Sequence, residues 1–250
     1  MSTATVASRG FREPGVDLGS GVHAIGPSEH GALQGGYSRA YLFEHDDGLA
    51  LVDTLWDHDA HMILRYLWQI DRAPTDITDI LISHAHRSHL GGVAILKHVT
   101  GAKVHSHAWE APIVAGRRSA AKIPLWPLVP PQLIGFRVAS QLGIQPHMRC
   151  EVDEPYLEGG ERICGLEVIH LPGHTPGNLV FSWKDDLAIA VADTVMTWPS
   201  FCAGWPGFNH DDAEFRRSLE KVVERRPEMV LTGHGDPIWE NAAETIETLL

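Results

Sequence analysis

The chain has 250 residues, 44% of them hydrophobic and 21% charged, an ordinary globular composition with room for one large domain or two small ones. A formal net charge of −12 argues against nucleic acid as a partner, and Arg117-Arg118 and Arg225-Arg226 are isolated pairs, not a basic patch. No apolar run is long enough to span a membrane, and the first residues lack the charged end and apolar stretch of a secretory signal.

Residues 1–20 are rich in Gly, Ser and Pro without a period and read as a loose arm or an edge strand. Short apolar runs then predict strands at 21–25, 39–44 and 49–53, the last two joined by the turn Asp46-Asp47-Gly48. Met62, Ile63, Tyr66, Leu67 and Ile70 are spaced as one face of a helix over 58–70. A buried strand at 77–83, a helix at 91–98 and a strand at 103–106 follow. Prolines 112, 124, 127, 130, 131 and 146 break up 108–150, which reads as an inserted, partly helical cover. Strands resume at 162–164, 167–170, 179–183 and 187–192; a helix at 211–225, a strand at 229–232 and a helix at 238–250 close the chain. Two β-rich halves, each with outer helices, predict an α/β sandwich over 21–250, although no clean sequence repeat links them.

Cys150, Cys164 and Cys202 form no CxxC pair, so a disulfide framework is not expected and a reducing cytoplasm fits. The 16 histidines are unusual, and their positions carry the chemistry. In Ile80-Leu-Ile-Ser-His84-Ala-His86-Arg-Ser88-His89-Leu-Gly91-Gly92 an apolar strand runs into three histidines. His84 and His86 lie two apart and point to one side of an extended chain; His89 follows where the chain turns toward a helix. Imidazoles so fixed suit zinc, iron and related metals. Asp53, His174, Asp193 and His234 each end an apolar run, mostly beside glycines, where α/β proteins keep their sites.

This ordered set resembles the metallo-β-lactamase superfamily, whose hallmark is HxHxDH with a following Gly-Gly, then a later His, an Asp and a final His. The resemblance runs from about Gly21 to about His234. It implies a four-layer αββα sandwich and two metal sites: His84, His86 and His174 in the first, His89 and His234 in the second, with Asp193 bridging and Asp53 supporting from behind. It also implies zinc, one or two ions, with iron or manganese as alternatives, and a metal-activated water attacking an electrophilic carbon or phosphorus.

The chain departs from the family at one position: Ser88 stands where HxHxDH has its acid. Serine is neutral and a poor ligand, so a second site would rest on His89, Asp193 and His234. A one-metal enzyme, an altered reaction, a disabled variant and a binding protein all fit the exchange. A nucleophilic Ser88 is disfavoured, because a histidine bound to metal is no free base. Cys202 is considered, and disfavoured, as a replacement ligand. The His105/His107 pair reads as an exposed edge-strand pair without a third ligand. Trp126, Trp198, Phe201, Trp205 and Phe208 either rim an apolar pocket or form a local cover. Arg87, Arg117 and Arg118 read as solvated surface rather than a carboxylate grip.

The leading reading is a metal-dependent hydrolase of a small-molecule thioester, ester, lactone or amide, with Asp193, Ser88 and Asp53 in the catalytic machinery. The alternatives are a mononuclear iron oxidoreductase of persulfide-dioxygenase type and a non-catalytic ligand-binding member of the fold. No nucleic acid or membrane is expected as partner; a homo-oligomer is left open.

Overall fold

The computed structural model describes residues 14–26, 37–120, 134–135, 138, 147–156 and 159–250. The first half builds a seven-stranded sheet in chain order: β1 (Gly15–Gly19), β2 (Val22–Ile25), β3 (Ala40–His45), β4 (Gly48–Val52), β5 (Ile77–Leu81), β6 (Lys103–His107) and β7 (Glu154–Tyr156). The second half builds five strands: β8 (Gly159–Ile163), β9 (Leu166–His170), β10 (Leu179–Trp183), β11 (Ala188–Ala192) and β12 (Met229–Thr232), in the order β12-β11-β10-β9-β8. The helices are α1 (His61–Gln69), α2 (Arg87–Leu90), α3 (Val93–Thr100), α4 (Ala111–Val114), α5 (Asp212–Glu224) and α6 (Ala242–Glu247).

Alternation along the strands sorts the side chains into layers. Leu42, Leu51, Ile80 and Val104 face outward onto Ile63 and Leu67 of α1 and Leu96 of α3. Tyr41, Phe43, Val52 and Leu81 face inward and meet Val168, Phe181 and Leu231 of the other sheet. That sheet turns Val180, Ile189 and Val230 onto Leu219, Val222 and Ile246 of α5 and α6. The order helix, sheet, sheet, helix is the expected αββα sandwich.

Strand direction positions the site. β4, β5 and β6 are parallel neighbours, as are β11 and β12. β9 runs antiparallel to β10, and β10 to β11, so β9 points the same way as β11. The segments that follow β4, β5, β9, β11 and β12 carry Asp53, His84–His89, His174, Asp193 and His234.

Of the two readings of 1–20, Gly15–Gly19 takes the edge strand, paired with β2; residues 1–13 lie outside the described residues. Other local expectations are corrected. The short helix α2 begins at Arg87, directly after extended His86, so His89 sits on a helix and not in a turn before one. The closing helix is shorter than 238–250, because Ile238 pairs back with Val230 and α6 begins only at Ala242. Most of 108–150 lies outside the described residues; within it Ala111–Val114 is helical.

Candidate metal centre

The predicted ligands converge at the sheet ends. His84, His86, His174 and Asp193 form one fully buried group, and His89, Asp193 and His234 form a second, with Asp193 common to both. In the first group, His86 Nδ1 lies 3.0 Å from His84 Nε2 and 3.0 Å from His174 Nε2. Asp193 Oδ2 lies 3.7 Å from His84 Nε2 and 3.3 Å from His174 Nε2. In the second, Asp193 Oδ1 lies 3.1 Å from His89 Nε2 and 3.4 Å from His234 Nε2.

These spacings fit a metal better than hydrogen bonds alone. A tetrahedral ion with ligand bonds of about 2.0–2.1 Å holds its ligand atoms about 3.3 Å apart, close to the observed separations. Two of the rings direct Nδ1 outward: His89 Nδ1 donates to Asp53 Oδ2 at 2.8 Å and His174 Nδ1 to Asn209 Oδ1 at 3.3 Å. Each ring's Nε2 is thereby turned toward the cluster. His89 Nε2 and Asp193 Oδ1 are buried 3.1 Å apart without a well-aligned hydrogen bond, an arrangement that suits two ligand atoms turned toward one ion. Neutral imidazoles with a carboxylate suit zinc, iron and manganese.

Electrostatics agree for most of the cluster. Burial pushes His84 and His86 well below the usual histidine range, with the neighbouring imidazoles acting in the same direction. Burial works to raise the Asp193 carboxyl, but His234, His89 and His174 outweigh it and hold it well below the usual carboxylate range. His89 differs: burial opposes its charge, yet Asp193 and Asp53 on either side push it up to about 10. Without metal, a proton on His89 serves two carboxylates; an ion at the second group must displace it.

Asp53 is the hub behind these rings. It accepts from the Ser83 amide at 2.8 Å, Ser83 Oγ at 2.7 Å and His89 Nδ1 at 2.8 Å. Ser83 Oγ in turn lies 3.1 Å from His84 Nδ1, extending the chain to the first group. Asp53 holds φ at +60°, a region aspartate enters more easily than most residues. Gly233 is needed beside the cluster, since a Cβ there would run into Asp193 Oδ1 and the Ala192 backbone.

Ser88 is fully buried on α2, and its Oγ makes no hydrogen bond. Cys202 does not belong to either ligand group; its backbone pairs with Met196, and burial together with Asp193 pushes its thiol up to about 11. The Trp205 ring lies tilted 4.4 Å from His234 and edge-on 5.9 Å from Trp198, while Phe208 packs edge-on to Trp205 at 5.4 Å, so this aromatic group backs the second group; Trp126 lies outside the described residues.

The reading of His105 and His107 as exposed is wrong. β6 lies between β5 and β7, and both rings are buried. His105 Nε2 bonds Asp79 at 2.6 Å, and His107 stacks on His170 at 4.3 Å. Arg87 is likewise buried, with its guanidinium 4.8 Å over the Trp56 ring, whereas Arg117 meets Glu151 on the surface. Sequence reasoning missed Asn209 and Glu110. Neither lies in a spacing motif; each reaches the site only through the folded chain.

Comparison with known proteins agrees with the geometry. The model of the metallo-beta-lactamase superfamily matches residues 33–234. Beta-lactamase-like protein 2 homolog of Drosophila melanogaster is 25% identical over 83% of this chain and 61% of its own length. Hydroxyacylglutathione hydrolase of Pseudomonas aeruginosa is 33% identical over 42% of this chain, and the match spans 28% of that protein. A subclass B3 metallo-beta-lactamase of Bradyrhizobium japonicum superposes with a TM-score of 0.66 at 18% identity, covering 94% of this chain and 90% of that one, which speaks to the fold alone. The sandwich, the converging ligands and the family match lead to one conclusion: the chain belongs to the metallo-beta-lactamase superfamily.

Proposed function

We propose that the chain is a metal-dependent hydrolase that opens an acyl bond of a small molecule, a thioester, ester, lactone or amide, with zinc as its resident ion. The observation that carries this is the pair of buried histidine groups sharing one carboxylate, with their nitrogen and oxygen atoms converging at the spacings a metal ion requires. When bound, such ions lower the pKa of water to near neutrality and polarise a carbonyl oxygen.

The protein's own residues supply the rest. His84, His86 and His174 offer the first site three imidazole donors, and burial keeps His84 and His86 neutral. Asp193 offers one oxygen to each site and fixes their spacing. Asp53 holds the His89 tautomer and, through Ser83, the His84 ring. Ser88 adds no charge, so the second site has two imidazoles and a shared carboxylate and binds more weakly than the first. Kinship with proteins named hydroxyacylglutathione hydrolase supports an acyl–sulfur substrate, as a proposal from part of the chain. Free thiols at Cys150, Cys164 and Cys202 support a reducing compartment. No helix among the described residues is long and apolar enough to cross a membrane.

The test is hydrolysis of a panel of thioesters, lactones, aryl esters and β-lactams by zinc-loaded protein and by Asp193→Asn. Turnover of at least one acyl substrate, lost by 10³-fold or more in the variant, is expected, since one residue serves both sites. Turnover that survives both a chelator and the substitution would refute the proposal.

A further inference from the structure

Outside the ligand set, a buried acid touches both loops that carry the histidines of the first group. Glu110 stands at the N-terminus of α4, just beyond β6, and is 1% exposed. Its Oε2 accepts from the Ala85 amide at 3.0 Å. Its Oε1 accepts from Thr175 Oγ1 at 2.6 Å and from the Gly177 amide at 3.2 Å. Ala85 lies between His84 and His86, and Thr175 directly follows His174. One carboxylate therefore ties the His84–His86 loop to the His174 loop.

The fit is specific. A Cβ on Gly177 would come within 2.8 Å of Glu110 Cγ and 2.9 Å of Oε1, so the glycine lets the acid approach. Glu110 makes no direct hydrogen bond to a ligand ring; all its partners are groups beside ligands. Across the two loops it joins, His86 Nδ1 and His174 Nε2 stand 3.0 Å apart. The second group is held otherwise: His89 rests on Asp53, and His234 follows β12.

We infer that Glu110 is a positioning residue for the first metal site: it locks the His84–His86 loop to the His174 loop and so sets the spacing of their nitrogens. This rests on the reading of the site as a metal centre. Removing a residue that orients metal ligands from behind typically costs 10–100-fold in metal affinity. Glu110 should do so at the first site while sparing the second. A residue needed only for packing would instead lower the melting temperature and leave the affinity of the folded protein alone.

The experiment is zinc binding by chelator competition on metal-free full-length protein, read as two stepwise constants, with the melting temperature of the metal-free form alongside. The variants are Glu110→Gln, which keeps the volume but sets an NH₂ among donors, and Thr175→Val, which keeps the volume and deletes one donor. Thr175→Val keeps the proposal testable if Glu110→Gln does not fold. The expected result is a 10–100-fold weaker first constant for Glu110→Gln, a smaller loss in the same constant for Thr175→Val, and a second constant within about threefold of the parent. Rescue is expected from Glu110→Asp to a greater extent than from Glu110→Gln, because both acceptor oxygens are retained. An unchanged first constant in folded Glu110→Gln, or equal weakening of both constants, would overturn the assignment. A parent protein that binds no zinc would instead refute the metal reading itself, so the two failures are distinct.

Discussion

Replacing Asp53 by Asn tests how the second-site histidine is held. Asn keeps the volume and tolerates φ of +60° about as well as Asp, so the backbone should stay in place. What changes is the partner of His89. The Asp53 carboxylate accepts from His89 Nδ1 at 2.8 Å, whereas an Asn NH₂ turned that way can only donate. The ring then loses its Nδ1 acceptor and is left to hold a proton on Nε2, 3.1 Å from Asp193 Oδ1, where an ion would sit. Losing one buried charge-assisted hydrogen bond costs about 1.5–3 kcal/mol. At about 2–4 °C per kcal/mol for a chain of this size, the metal-free protein should melt roughly 3–12 °C lower. The second zinc constant should weaken about 10–100-fold, with a lesser effect on the first through Ser83 and His84. Calorimetric melting and zinc titration read both effects. Melting within about 1 °C of the parent, together with an unchanged second constant, would refute the reasoning.

Other perturbations have defined outcomes. Asn209→Leu removes the acceptor of His174 Nδ1 and should weaken the first zinc constant by about 10-fold or more, seen in the same titration. Phe181→Ala, between the sheets, should cost about 3–5 kcal/mol in urea unfolding without changing zinc stoichiometry. Gly233→Ala should disturb Asp193 and lower both zinc constants, because the added methyl group meets Asp193 Oδ1. The metal-free protein should be most stable near pH 6.5. Below that pH the unfolded chain protonates His84 and His86 while the fold keeps them neutral, so stability falls by up to about 1.4 kcal/mol per unit for each ring. Above it, His89 stays protonated in the fold to about 10 but not in the unfolded chain, so its contribution is lost as pH rises from about 6.5 through that value. A melting temperature flat from pH 5 to 9 would contradict these protonation states.

Much of the candidate site was legible because its proposed ligands sit where a strong local pattern ends. Apolar runs 49–53, 77–83, 187–192 and 229–232 mark strands, and the polar residue at each tip is readable without any contact map. What escaped depends on non-local pairing. His105 and His107 look like an exposed pair until β7, only Glu154–Tyr156, covers β6 and turns it into an inner strand. Glu110 is 65 residues from Thr175, and Asn209 is 35 from His174; no period links such positions. The closing helix was overextended because a tertiary contact, Ile238 on Val230, overrides the local apolar pattern.

Zinc stoichiometry on the metal-free protein, by titration to saturation followed by elemental analysis of the desalted complex, tests the central claim most directly. The account predicts two ions per chain, the first bound more tightly than the second, falling to one tight ion in His234→Ala and to no tight ion in Asp193→Asn. A protein that stays folded and retains no zinc, or one whose zinc content ignores both substitutions, would contradict it.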